Sequence, residues 1–152
     1  MLTTPDLIRT LAQHWFAAVG SDVTTVLPGA SIDVTTLASW IEFWVRWVEV
    51  TAPRAASRDQ MRGELGLHCF SRHAAETREA HHLASLCQQH LSHQVIPVLS
   101  PSEPAGPPLA HLRTGAFALV DLSRAELTGN GRPLQHLLIT IPLTCEETAS
   151  LS

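Results

Sequence analysis

The chain has 152 residues, of which 45% are hydrophobic, and its formal net charge at neutral pH is −4. This length suits a single domain, and the hydrophobic fraction is sufficient for a core, which argues against an intrinsically disordered chain. The mild negative charge and the lack of a lysine and arginine cluster disfavour a protein that grips nucleic acid or an anionic membrane surface.

Targeting signals and disulfides are also not indicated. No apolar run approaches the roughly 20 residues that span a bilayer, and no basic segment followed by an apolar stretch marks a secretory signal. Cys69, Cys87 and Cys145 have no paired spacing, so we interpret them as reduced thiols of an intracellular protein. We therefore expect a cytoplasmic location and no membrane partner.

The N-terminal segment predicts an amphipathic helix. Thr4 is placed as the N-cap, Pro5 as the first helical residue and Asp6 near the positive end of the helix dipole. Gly20 is the predicted end of the helix. The core stripe at the helical period consists of Leu7, Ile8, Leu11, Ala12, Trp15, Phe16 and Val19. Residues 21–37 predict an irregular connection with room for one short strand.

A strand rich in tryptophan is predicted over residues 40–50. Its odd positions Ile41, Phe43, Val45 and Trp47 are all apolar, as the core face of a strand requires. The even positions are half apolar, and they are Trp40, Glu42, Trp44, Arg46, Val48 and Val50. Two explanations remain open for Trp40 and Trp44: a partner molecule covers them, or one or both lie beneath the first helix.

The rest of the chain predicts one more helix and four more strands. Residues 51–62 are a long hairpin loop, 64–70 a strand, 74–90 a helix, 94–99 a strand and 100–108 a proline-rich loop. A strand over 116–127, a turn at Gly129–Gly131 and a strand over 134–143 follow, and Pro142 suggests that the last strand ends at a sheet edge.

The predicted fold class is therefore α+β, a single domain with a mostly antiparallel sheet and two helices on one face, in the order α-β-β-α-β-β-β. The domain spans residues 1–144, and residues 145–152 form a polar tail.

The sequence contains no pattern that predicts catalysis, a cofactor or a metal site. The best candidate cluster is Cys87, His90 and His93, whose successive members rotate by about 60° around an ideal helix, so the three cannot converge well on one ion without a bend. Cys87 also falls on the apolar stripe of the second helix, where a thiol behaves as a small hydrophobic group. His68 and Cys69 are neighbours on a strand and point to opposite faces, which weakens a nucleophilic pair.

Several segments, in their order along the chain, carry a family resemblance. They are Trp44-Val45-Arg46-Trp47, Leu65 to Phe70, Glu76 to Ala80 with Leu83-Ala84, the turn at Gly129 to Gly131, and Leu137 to Ile141. The succession of an N-terminal helix, a Trp-rich strand, a long hairpin loop and a second helix before three final strands resembles the tail-terminator proteins of long-tailed bacteriophages. The likeness covers about Thr4 to Thr144.

The resemblance implies a structural protein of the virion and not an enzyme. It implies a homohexameric ring, assembled in the host cytoplasm, that caps the tail tube, fixes its length and joins it to the head connector or head-closure protein. Genome DNA would only pass through the lumen, and an acidic chain suits such a channel because anionic walls repel phosphates.

A ring subunit needs two different surfaces for head-to-tail contact. The candidate interface residues are Trp40, Trp44, Arg46 and Val48 on the strand, with Arg54, Arg58 and Arg62 in the hairpin loop.

Two other kinds of protein stay open. The nearer one is another neck or tail ring protein, such as a head-closure component or tail-tube subunit. The more distant one is a small cytoplasmic enzyme or metal-binding domain that uses the histidines and cysteines. Stoichiometric zinc in the purified protein would favour the latter.

Overall fold

The helices and strands follow the predicted α+β order. The computed structural model describes residues 2–51, 60–72, 78–123 and 134–148. Two helices and seven strands lie in these ranges. They are α1 (Thr4–Val19), β1 (Thr25–Val26), β2 (Ser39–Thr51), β3 (Gln60–Ser71), α2 (Arg78–Leu91), β4 (Val95–Val98), β5 (Ala110–Thr114), β6 (Ala118–Asp121) and β7 (Gln135–Glu147).

The strands form one sheet with β7 at its centre. Their order is β1-β2-β3-β7-β5-β4, and β6 pairs with β7 beside β5. Every pair is antiparallel except β1 with β2. One edge of β7 pairs with β3 from Gln135 to Glu146, while its other edge is shared between β6 and β5. The predicted antiparallel sheet is confirmed.

The core lies between the helices and one face of the sheet. Odd-numbered residues of β3, of β7 and of β2 up to Trp47 point to this side, so Phe43, Leu67 and Ile139 stand in one cross-strand row and are at most 5% exposed. Both helices contribute to the same buried cluster, through Leu7, Leu11, Trp15 and Val19 of α1 and Ala80, Leu83, Ala84, Cys87 and Leu91 of α2. The prediction of two helices on one sheet face is confirmed.

The N-cap of α1 lies one residue before the predicted one, and the helix begins at Thr4. Thr3 is the N-cap: its hydroxyl accepts a hydrogen bond from the Asp6 amide at 3.4 Å, and the Asp6 carboxylate accepts one from the Thr3 amide at 3.0 Å. Thr4 had been predicted as the cap, but the carboxylate in the third helical position completes a reciprocal pair only with Thr3. Phe16 is also placed wrongly by the apolar pattern, since it is 39% exposed.

The β2–β3 hairpin is longer than predicted. Both strands continue until Thr51 pairs with Gln60, so the connection is 52–59 and Arg62 lies on β3 instead of in the loop. The polar residues Gln60 and Arg62 hide this extension, because the β7 ladder and not apolar alternation holds them in the sheet. Strand β5 was missed altogether. Its five residues include only two that are strongly apolar, Ala110 and Leu112, and both are buried.

The end of the last strand differs from the prediction. Pro142 lies in the central strand and not at a sheet edge. Its carbonyl accepts a hydrogen bond from the Gly115 amide, where β6 pairing has stopped at Thr140 and β5 pairing has not begun before Leu143. At this gap neither β5 nor β6 needs a backbone N–H donor from residue 142, so proline is tolerated there. The sheet continues to Glu147 with Cys145 buried, so residues 145–147 are strand and not tail.

Some predicted features lie outside the described residues. These are the start of the second helix at 74–77, the turn at 129–131, residues 124–127 of the predicted strand 116–127, and residues 149–152 of the tail. Strand β6 ends at Asp121. Neither of the helices in the described ranges combines the length and the apolar character that crossing a bilayer requires.

Two directly paired side chains, which point to the same face of the sheet, test how far the core extends toward β6. Ile139 is fully buried, whereas its partner Leu119 on β6 is 41% exposed. Ile139→Ala should lower the free energy of unfolding by about 2–5 kcal/mol, because it leaves a cavity between sheet and helices. Leu119→Ala should cost far less. Urea denaturation of both variants measures the difference, and equal losses would contradict the conclusion that the core ends before β6.

Candidate functional site

The sheet face turned away from the helices carries the functional candidates. We call it the outer face, and even-numbered residues of β3, of β7 and of β2 up to Trp47 point to it. Its members on these strands are Trp40, Glu42, Trp44, Arg46, Gln60, Arg62, Glu64, Gly66, His68, Phe70, His136, Leu138, Thr140, Pro142, Thr144 and Glu146. No helix of the described residues packs on this face, so its composition is set by something other than the protein's own core.

An aromatic row crosses one end of the outer face. The Trp40 ring stacks on Phe70 with centroids 4.8 Å apart, and Phe70 stacks on His136 at 4.3 Å. These three residues are direct cross-strand partners, so the sheet register itself brings the rings together. The Arg72 guanidinium lies 5.0 Å from the Trp40 ring centroid and donates hydrogen bonds to the carbonyls of Val34 and Leu37.

Trp40 finds its contacts and its hydrogen bond within its own chain. It is only 3% exposed, and its indole Nε1 donates to Glu42 Oε1 at 3.0 Å. As a candidate interface residue it offers almost no free surface. The alternative that Trp40 lies beneath α1 is also wrong, because Phe43 faces α1 instead, with its ring 5.7 Å from that of Trp15.

Trp44 is the aromatic residue that remains exposed. It is 52% exposed, although its side chain lies against Gly66, where an added Cβ would meet the indole at 3.4 Å. The placement of Trp44 beneath α1 is therefore also wrong. On the same face, the half-buried Leu138 lines a groove together with Trp44, and its partner Val120 on β6 is 50% exposed. We call the apolar side chains of Trp44, Leu138 and Val120 the Trp44 patch.

A groove of about 350 Å³ runs along this patch. Trp44 and Leu138 contribute its apolar side, and Glu42, Glu64 and His68 contribute its polar side. Glu42 accepts the hydrogen bond from Trp40, whereas Glu64 has no hydrogen bond or ion pair with any described side chain. The groove is therefore acidic as well as apolar.

The candidate arginines lie toward the hairpin end of the same face. Arg46 and Arg62 are exposed, and neither has a carboxylate within 4 Å among the described side chains. Arg46 stands opposite Glu64 in the sheet register without forming an ion pair. The candidates Arg54 and Arg58 lie in 52–59, outside the described residues, and so does the side chain of Val48. The backbone at Val48 is part of an irregularity between Trp47 and Glu49.

A histidine pair that the sequence did not predict lies next to the groove. His68 Nδ1 and His136 Nε2 are 2.8 Å apart, so one ring donates a hydrogen bond to the other. Burial, and then the neighbouring His68, lower the pKa of His136 below its ordinary value, while Glu42 and Asp121 act in the opposite direction. The two residues are 68 positions apart. The only sequence signal for their contact is that both are even-numbered residues of strands whose even positions point to the outer face.

The cysteine and histidine cluster of the second helix does not form a site. Cys87 is buried in the core, where a hydrogen bond with Cys69 and burial hold its pKa well above the ordinary value. A protonated thiol in such surroundings is unreactive. His93 lies in the turn after α2 with a φ of 53°. Across the described ranges, no three histidine, cysteine or acidic side chains come together closely enough to hold a metal ion.

A second exposed apolar surface lies on the helical side of the molecule. A groove of about 780 Å³ follows α1 and is bordered by Leu27 and Pro28. Ile8 and the exposed Phe16 contribute to its wall. The protein thus has apolar surfaces on both of its layers.

The chain matches no protein-family model, and a search of the curated proteins finds no significant match. The function must therefore be argued from the surfaces of the molecule itself.

The histidine pair generates a pH prediction. A histidine whose pKa is lower in the folded state than the unfolded value of about 6.5 binds its proton more weakly when folded. The stability that such a histidine contributes is fully present above the unfolded pKa of about 6.5, and it is lost as the pH falls through the lowered pKa of the folded state. His136→Gln should therefore flatten the fall in stability between pH 8 and pH 5.

Urea denaturation at both pH values measures this effect. The exposed His82 on α2 supplies the control, and His82→Gln should leave the pH dependence as it is in the wild type. An unchanged pH dependence in His136→Gln would show that the pKa of His136 is not lowered in the folded protein.

Proposed function

We propose that this protein is a structural subunit that assembles with copies of itself into a ring, of the kind formed by phage tail terminators. The observation that carries the proposal is the Trp44 patch on a sheet face that no helix of the described residues covers. A tryptophan buries about 150–250 Å² when it is covered, so leaving one half exposed forgoes a large hydrophobic gain.

Contact with a neighbouring copy would supply that cover. Interfaces are enriched in tryptophan and arginine at their centres and depleted of lysine. The outer face carries both of these residue types, with Trp44 followed by Arg46 on β2 and Arg62 on β3. The α+β element order also agrees with the fold that the terminator resemblance implies.

The second apolar surface fits the same role. A protein that joins a tail tube to a head connector must contact unlike proteins in addition to its own copies. In this proposal the α1 groove, on the layer opposite to the Trp44 patch, serves such a contact. Another neck or tail ring protein would use the two surfaces in the same way, and only binding to purified tubes or connectors separates these roles.

Light scattering with negative-stain images tests self-assembly directly. We expect rings of about six copies, either from the protein alone or on addition of tail tubes. A monomer or dimer that is indifferent to tubes would overturn the proposal and favour a small-molecule site.

The tryptophan can be tested separately. Trp44→Asp should weaken assembly by about tenfold or more while the monomer stays folded, because it places a charge where a neighbour must dock. Ile32→Asp is the control, since Ile32 is 45% exposed but lies in the connection before β2. Sedimentation velocity measures assembly, and circular dichroism checks the fold. Normal assembly of Trp44→Asp would exclude the Trp44 patch from the interface.

A further inference from the structure

Acidic and basic groups of the outer face stand close together without pairing. Glu42 and Glu64 line the groove at the middle of the face, Arg46 stands directly opposite Glu64, and Arg62 lies further toward the β2–β3 hairpin. Within the described part of the chain, neither arginine forms an ion pair and Glu64 has no partner. An unpaired acid in the groove and an unpaired arginine at the hairpin base, Glu64 and Arg62, are therefore both presented on one face.

We propose that the acidic groove beside Trp44 binds the arginine side chains at the hairpin base of a neighbouring copy, with Arg62 as the main one. This inference rests on the proposed function, because it identifies the surfaces through which copies of the chain contact each other.

The groove has the groups that recognise a guanidinium. The exposed indole of Trp44 offers an aromatic face, on which the planar cation of an arginine stacks favourably. The carboxylate of Glu64 lies in the same groove and can accept two parallel hydrogen bonds from the guanidinium. Glu42, which already accepts a bond from Trp40, adds negative charge without having to move.

A neighbour's arginine would pair with the Glu64 carboxylate, with which the subunit's own arginines form no ion pair. Arg46 faces Glu64 across the strands, yet the two form no ion pair in the subunit. Arg62 lies two residues from Glu64 on β3, which is about 7 Å along a strand, and is exposed at the hairpin side. A second copy can bring its arginine over the groove from outside, where the Trp44 ring is accessible.

This contact is head-to-tail. The groove of one copy meets the hairpin base of the next, so each copy contributes two different groups of residues, the acids beside Trp44 and the arginine at the hairpin base. Contacts of this kind close into rings when the rotation between copies permits. A contact of the Trp44 patch with itself would instead stop at a dimer.

Charge reversals of two residues provide the test. In Glu64→Arg every contact would set arginine against arginine, and in Arg62→Glu every contact would set acid against acid. Each variant alone should assemble at least tenfold more weakly than the wild type. In an equimolar mixture, alternating copies would restore opposite charges at every contact, so we expect the mixture to recover assembly.

Glu103→Arg, in the exposed turn after β4, is the control for a single charge reversal and should assemble like the wild type. Circular dichroism establishes that each variant is folded, and sedimentation velocity measures assembly. Recovery in the mixture also excludes misfolding as the cause of the individual defects.

The outcomes separate this inference from the proposed function. A wild-type protein that never assembles, even on tail tubes, overturns the proposed function and this inference together. A wild type that forms rings while Glu64→Arg and Arg62→Glu do so equally well overturns this inference alone. Individual defects without recovery in the mixture also overturn it, because they show that the two residues do not meet across the contact.

Discussion

The antiparallel pairing of β7 with β3 is the constraint on which the rest of the structure depends. Because side chains alternate along a strand, this register places Leu67 with Ile139 on the core side and Phe70 with His136 on the opposite side. A slip of one residue would exchange the two sets. Strand β2 continues the same alternation through its pairing with β3, so the two faces of the sheet are defined together.

One consequence is that the outer face becomes a surface with two parts. Near Trp40 it is closed by its own rings and by Arg72, and it needs no partner. Near Trp44 the opposite residue is Gly66, which supplies no side chain to cover the indole. The difference between a buried and an exposed tryptophan, four residues apart on one strand, follows from what stands opposite each of them.

The same register arranges the charges. It sets Glu64 in the groove directly opposite Arg46 and places Arg62 further toward the hairpin, so that acidic and basic groups stand at neighbouring positions on one face. It also brings His68 and His136 to hydrogen-bonding distance between the aromatic row and the groove. Contact between copies, as proposed, would therefore use residues that the sheet has already positioned, and little reordering of side chains would be needed on binding.

The sequence by itself determined the fold class, the α1 and α2 stripes and the core face of β2, because helical and strand periodicities are local and strongly apolar here. It could not reveal β5 or the full hairpin, whose residues are held by neighbouring strands more than by their own pattern. It marked Trp40 and Trp44 as equivalent, and only the tertiary structure separated them. Burial of a side chain depends on its cross-strand neighbours, and those neighbours are distant in sequence.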